Sequence, residues 1–397
     1  MDVFMTRREK LMSRMRAQQI DGFLVTQNVD IYYFTGTMQT GFLFIPSEGN
    51  PVFYVRRSLT RAQSESGVKV EELGSMRSLG ERLKARYPSL FSNEGKAVIA
   101  TEFDVLPVQL FHRLQAAIPM VEWKDGTMLV REIRMIKGPE EIEAIRRAAV
   151  VTDLAFEKAA AAARVGMRDV ELMTVIEATM REHGHMGLMR MRGYNQEIIT
   201  GMVGSGSAMA IPTYFDGPAG GEGLGPASPQ SSGNKTIGPN EPILVDIGCC
   251  IDGYVFDQTR TMVIGELDEE LDRAYRVAEH ILRRTEEKLV PGTSCEQLYI
   301  QSLELAEQAG LSEHYMGFRQ DQVKFLGHGI GLEVDELPVL ARGFRLPLEP
   351  GMVIAIEPKF TFPERGVVGI ENTYLITDDG FEKLSVSREG LIRLGGR

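Results

Sequence analysis

VDIGCCIDGYVFD, residues 245–257, carries two aspartates, Asp246 and Asp257, on either side of an Asp252-Gly253 pair. Asp-Gly between apolar runs is a strong signal for a two-residue hairpin turn. If Ile251 and Tyr254 pair across that turn, Gly248 faces Asp257. Side chains alternate along a strand, so Asp246 shares the face of Gly248, and the two carboxylates project the same way as diagonal neighbours. The flanking residues are apolar, which argues against a solvated strand face. Two acids aimed into an apolar layer need a counter-charge.

Three further segments supply candidates for the same site. His328 lies in FLGHGIGLEVDELP (325–338), Glu357 in VIAIEPKF (353–360) and Glu371 in VGIENTYLIT (368–377). The sequence predicts both glutamates inside apolar strands, where an ionised carboxylate is expensive unless paired or metal-bound. It places His328 in a glycine-flanked loop whose glycines let the backbone approach closely. The other histidines (His112, His183, His185, His280 and His314) read as packing or hydrogen-bonding groups. Four carboxylates converging on one imidazole raise one another's pKa values and repel. Two divalent cations, about 3.5–4 Å apart, would neutralise them and form a known hydrolytic device. A donor set rich in carboxylates favours Mn²⁺, Co²⁺ or Fe²⁺ over Zn²⁺.

Composition narrows the class. The chain has 397 residues, enough for two domains, with 43% hydrophobic and 25% charged residues, as in a globular enzyme. A net charge of −11 argues against nucleic acid or anionic lipid as partner. No apolar run of membrane-spanning length occurs, and MDVFMTRREKLMSRMR lacks the apolar stretch of a signal peptide. Three cysteines, Cys249, Cys250 and Cys295, fit a reducing cytoplasm. Neighbours on a strand face opposite ways, so at most one of Cys249 and Cys250 could approach the acids. Both read as small buried residues.

The fold class expected is α/β (α+β) in two parts, residues 1–130 and 131–397. The first part shows an amphipathic helix over 5–19 and an apolar strand over 21–26. GFLFIP (41–46) and PVFYVR (51–56) bracket a hairpin turn, with a further strand over 97–102 and a helix near 106–117 ended by Pro119. REIRMIKGP (131–139) closes this domain, and Pro139 opens a long helix. The second part contains a weak repeat. PEEIEAIRRAAVV (139–151) resembles GELDEELDRAYRV (265–277), and Gly166, Leu172 and Gly184 match Gly292, Leu298 and Gly310. Each pair lies 126 residues apart, as 292 does from 166. The constant offset predicts two similar α/β halves with a cleft between their sheets. The segment over 203–240 is rich in Gly, Pro and Ser, which predicts neither helix nor central strand; a long loop of that kind is more often functional than a mere connector.

These motifs resemble the pita-bread metallopeptidases: methionine aminopeptidase, aminopeptidase P and prolidase, with the related creatinase. The resemblance covers nearly the whole chain. IDGFLVTQNVDIYYFTG (20–36) is similar to the creatinase-type amino-terminal domain of prolidases and aminopeptidases P, and REIRMIKGPEEIEAIRRAA to the junction in those enzymes. It implies a pseudo-two-fold pita-bread domain, a homodimer, and Asp246, Asp257, His328, Glu357 and Glu371 as ligands of two metals, with Glu357 also shuttling protons.

Two departures stand out. Family peptidases commonly carry histidine directly after the proline of a segment like SGSAMAIP (205–212), where this chain has Thr213 and then Tyr214. They also carry histidine in the GHGIG stretch where Asp335 stands before Glu336. Losing one transition-state donor costs on the order of 2.7–4 kcal/mol. Tyr214 is the candidate replacement donor, and Asp335 a candidate partner for a cationic group. The resemblance implies hydrolysis of an amide bond in a short peptide, of Xaa-Pro type, with His328 and Glu357 at the reacting centre. The alternatives are another reaction on the same scaffold, such as that of creatinase, an ectoine-derivative hydrolase or a lyase, and a non-catalytic binding module.

Overall fold

Short apolar strands separated by amphipathic helices build the first of two compact units, Met1–Arg134 and Met135–Arg397. The structure, a computed structural model, describes residues 3–91 and 96–395. The first unit is a six-stranded sheet in the order Lys69–Glu72, Val52–Val55, Gly41–Pro46, Gly22–Val25, Ala97–Thr101, Val121–Asp125. Gly41–Pro46 pairs antiparallel with both neighbours, and Ala97–Thr101 pairs parallel with both of its own. Leu24, Phe44, Tyr54 and Ile99 pack from the sheet against Leu83 and Leu114 of the helices Leu79–Arg86 and Val108–Ala117. Helix Val3–Ala17 opens the unit, and a buried ion pair joins Arg134 to Asp30 at 2.7 Å.

The second unit begins as its sequence dictates. Pro139 stands at the first position of helix Pro139–Ala162, and the Gly138 N–H donates to the Glu141 carboxylate at 2.8 Å. The repeat is structural. Helices Asp169–Glu182 and Cys295–Gln308 are displaced by 126 residues at both ends, as 169 is from 295 and 182 from 308. The glycines preceding them, Gly166 and Gly292, both have a left-handed backbone, φ +83° and +92°. Leu172 and Leu298, the matched core positions, are wholly buried.

Each half contributes a sheet. One has four strands in the order Ile392–Leu394, Tyr254–Ile264, Pro242–Ile251, Gly201–Ser205. The other has five, in the order Glu336–Ala341, Phe325–Gly329, Val353–Ile356, Asn372–Ile376, Phe381–Lys383. Strands Lys359–Phe362 and Gly366–Gly369 form a separate ribbon.

Two expectations are corrected. Residues 203–209 are not irregular: they belong to the edge strand Gly201–Ser205 and a turn of helix, Gly206–Met209. The strand survives its glycines because the loop that follows caps its free edge. Ser231 Oγ accepts from Val203 N at 3.1 Å and donates to Gly201 O at 2.7 Å, while Ser232 Oγ donates to Val203 O at 2.6 Å. His328 is likewise not in a loop but in strand Phe325–Gly329. A Cβ at Gly327 would lie 2.1 Å from Ala355 O, and one at Gly329 2.2 Å from Leu337 O. These glycines admit close neighbouring strands instead of breaking one.

Candidate metal centre

The turn at Asp252-Gly253 sets the hairpin register: Ile251 pairs with Tyr254, Gly248 with Asp257 and Asp246 with Thr259. Asp246 and Asp257 thus share a face, in the diagonal relation that their spacing predicts. In the five-stranded sheet His328 pairs with Ala355. The sequence places Glu357 and Glu371 inside strands; in the structure both stand at strand ends. Glu357 follows Ile356, its N–H donating to Leu326 O at 3.0 Å, and Glu371 precedes Asn372, its N–H donating to Thr259 O at 3.2 Å. Thr259 Oγ1 also donates to Glu371 Oε2 at 2.6 Å, so one hairpin residue fixes both backbone and carboxylate of this glutamate.

The five side chains gather into two triads that share Glu371. Asp257, His328 and Glu371 form one; Asp246, Glu357 and Glu371 form the other. Within each, one ligand atom per residue lies within 4.8 Å of the rest. Lys359, which the sequence reading passes over, stands against the second triad. Its Nζ is 2.5 Å from Glu357 Oε2, 3.1 Å from Asp246 Oδ2 and 3.4 Å from Glu371 Oε2, and the side chain is wholly buried. The signal was a single cation in the apolar run KFTF, two residues beyond Glu357.

Burial governs the titration of these groups. It pushes Asp246 up, and Glu371 far up, against the pull of Lys359. It lifts Asp257 to about 7, helped by the charge of Asp246. Burial also opposes ionisation of Glu357, but Lys359 and His328 outweigh it and hold this carboxyl below the usual glutamate range. Burial depresses His328, yet Asp335, then Glu357 and Asp257, raise it well above an ordinary imidazole. The centre therefore stores protons that a bound cation would displace.

These residues fit a divalent cation. Glu371 Oε1 is buried with no hydrogen-bond partner among the described residues, and such an oxygen calls for a cation or a proton. Oxygen donors with one imidazole suit Mn²⁺, Co²⁺ or Fe²⁺. Asp335 Oδ1 lies 3.3 Å from His328 Nδ1, the kind of outer contact that orients a ligating imidazole, and Nε2 faces Glu357 Oε1 at 3.5 Å. Thiolate is not offered: burial pushes Cys249 up to about 12 and Cys250 to about 11.

Asp246, Asp257, His328, Asp335 and Glu357 line one cavity, walled by Ile198, Met202, Phe215, Pro218 and Val334. Phe215 and Pro218 come from the irregular segment, which thus shapes the site. Asp335, expected as a partner for a cationic group, reaches the cavity and faces His328. Tyr214, expected as a donor there, is 56% exposed and lines a neighbouring cavity; its hydroxyl accepts from Gln230 Nε2 at 3.3 Å. Thr213 lines that second cavity too, its Oγ1 buried without a hydrogen-bond partner among the described residues.

Comparison with known proteins agrees with this geometry. Residues 143–378 match metallopeptidase family M24, and residues 7–136 match the creatinase/prolidase N-terminal domain. An Xaa-Pro dipeptidase of Pyrococcus horikoshii is 26% identical over 394 residues, 99% of this chain and 100% of the relative. That of Pyrococcus furiosus is 26% identical over 388 residues, 97% of this chain and 99% of the relative. Among solved structures, an Xaa-Pro dipeptidase from Bacillus anthracis superposes with a TM-score of 0.83 at 25% identity, covering 98% of this chain and 100% of the other.

Proposed function

Since this chain belongs to metallopeptidase family M24 and carries the creatinase/prolidase N-terminal domain ahead of it, we propose that it hydrolyses amide bonds in short peptides of Xaa-Pro type, using divalent metal. The observation that carries this reading is the convergence of Asp246, Asp257, His328, Glu357 and Glu371 in two ligand triads beside one cavity. The curated Pyrococcus relatives, named for cleavage of Xaa-Pro dipeptides, support the substrate class. The donor set is large enough for two ions, with Mn²⁺, Co²⁺ or Fe²⁺ suited better than Zn²⁺; the number held turns on Lys359.

A divalent cation bound by these residues supplies a water acidified toward neutrality and polarises the substrate carbonyl oxygen. Glu357 is ionised at neutral pH, so one of its carboxylate oxygens accepts the proton of the attacking water and returns it to the leaving nitrogen. His328, turned by Asp335, presents Nε2 to the acids. The apolar wall of Phe215, Pro218 and Val334 holds the substrate side chains and keeps bulk water from the reacting carbonyl. Family kinship supports a homodimer, and the three buried free thiols suit a reducing cytoplasm. Among the described residues no helix is long and apolar enough to cross a membrane.

The test is a panel of Xaa-Pro dipeptides and tripeptides offered to Mn²⁺-loaded protein, with release of free proline or the amino-terminal residue as readout. Cleavage of at least one member is expected; cleavage of none sinks the peptidase reading. One observation favours a second reading, a non-peptide substrate. His328 is the only histidine among the described residues that line the cavity, and Asp335 stands where family peptidases carry an imidazole. A new amine and carboxylate from small amides would indicate hydrolysis, and an alkene elimination.

A further inference from the structure

We propose that the Lys359 ammonium takes the place of one of the two cations for which the donors provide, so that each chain binds a single divalent ion, between Asp257, His328 and Glu371. This deepens the metal-dependent reading and rests on it.

The placement of the lysine is specific. Its three ion-pair partners, Asp246, Glu357 and Glu371, are the three members of one triad, met at 3.1, 2.5 and 3.4 Å. A transition-metal ion lies about 2.0–2.2 Å from each carboxylate oxygen it binds. A point that close to the same three oxygens, on the side the ammonium occupies, falls inside its volume, so the two cations compete for one place and repel by charge. The other triad has a different composition, with the imidazole of His328, the unpartnered Oε1 of Glu371 and Asp257, none of which but Glu371 contacts the ammonium.

The fold is built to hold this side chain in place. Lys359 pairs across the ribbon with Gly369, where a Cβ would lie 2.5 Å from Lys359 Cγ. Glycine at 369 is what gives the lysine stem its channel. Met316 N donates to Lys359 O at 2.8 Å, which pins the backbone, and the wholly buried side chain has no open path to solvent. The charge count comes within one of balance without a second ion: one ammonium and one divalent cation bring three positive charges to four carboxylates. A buried lysine anchored at both ends of its stem is a fixed ligand-sized cation that no chelator removes.

The experiment uses the full chain, loaded with excess Mn²⁺ and freed of unbound ion, with metal per chain measured by mass spectrometry and the Mn²⁺ environment by electron paramagnetic resonance. Wild type is expected to retain one Mn²⁺ per chain with the spectrum of an isolated ion. Lys359→Met, which keeps the volume of the stem without its charge, is expected to hold two with an exchange-coupled spectrum, and Lys359→Ala serves if the methionine variant misfolds. Asp257→Asn is expected to lose the single ion of the wild-type protein, whereas Asp246→Asn, which removes a partner of the lysine, keeps it. Two ions in wild type, or one ion still in the folded lysine variants, would overturn this inference and leave metal dependence intact. Failure of wild type to bind any divalent ion would overturn both.

Discussion

Asp335 has a backbone that few residues adopt, φ +61°, and spends it on bringing a carboxylate within 3.3 Å of His328 Nδ1. Asparagine tolerates the left-handed region as aspartate does, so Asp335→Asn isolates the charge from the backbone. Mn²⁺ affinity, measured by calorimetry, is expected to fall about tenfold or more, the effect of losing an outer partner of a ligating histidine; an unchanged affinity would deny Asp335 that role. At this scale the sequence was legible where charge and apolar context conflict. Glu357 and Glu371 stand out in VIAIEP and VGIEN, as the aspartates do in the hairpin. Lys359 escaped because counting carboxylates finds the ligands of a cation but not where a four-carbon stem delivers its ammonium. Tyr214 was misplaced for a related reason: adjacency to Pro212 in sequence says nothing of which cavity a loop side chain enters.

Between elements, the site depends on how closely strands can lie. Gly327 and Gly329 bring Phe325–Gly329 against both neighbours, and this packing sets His328 beside Glu357. Gly327→Ala would drive a methyl into Ala355 O and is expected to cost about 1–3 kcal/mol in denaturant unfolding, with weaker Mn²⁺ binding in the folded fraction. Unchanged stability and binding would show that the strands can part freely. The hairpin register was readable because Asp-Gly dictates a turn, and the turn then dictates every facing pair. The strand of His328 was not, because glycine reads as a breaker until the neighbouring backbone is seen.

Helix Asp169–Glu182 adds a pH effect. Asp169 accepts from Ser205 Oγ at 2.8 Å and Ser205 N at 3.1 Å, and burial raises its carboxyl from 3.8 to about 6. A folded-state pKa above the unfolded one means tighter proton binding in the folded state. The resulting stabilisation is complete below about pH 4 and is lost as pH rises through about 6. The loss is about 3 kcal/mol. Asp169→Asn removes the titration, so its unfolding midpoint in urea should gain on wild type between pH 4 and pH 7. A constant difference between the two proteins would contradict this.

At the scale of the whole molecule, the offset of 126 residues was the legible feature, because helices, glycine turns and buried leucines recur in step. Strand lengths and pairing within the two sheets were not, since nothing in a repeat says which edges will be capped by serines or extended by the carboxy-terminal strand Ile392–Leu394. The donors follow the same division: Asp246 and Asp257 stand on the four-stranded sheet, His328 within the five-stranded sheet, and Glu357 and Glu371 at the ends of two of its strands. A cation held by Asp257, His328 and Glu371 ties together segments more than a hundred residues apart in sequence, and it binds only the folded chain. Metal at a hundred times its dissociation constant should therefore stabilise the protein by about 2.7 kcal/mol.

The most direct test is chelation followed by reconstitution, with metal content, melting temperature and Xaa-Pro cleavage read on the same sample. Stripped protein should melt lower and cleave nothing, and added Mn²⁺ should restore both in proportion to metal bound. Cleavage that persists in protein shown to be metal-free, or a folded protein that takes up no divalent ion, would contradict a hydrolytic metal centre built from Asp246, Asp257, His328, Glu357 and Glu371.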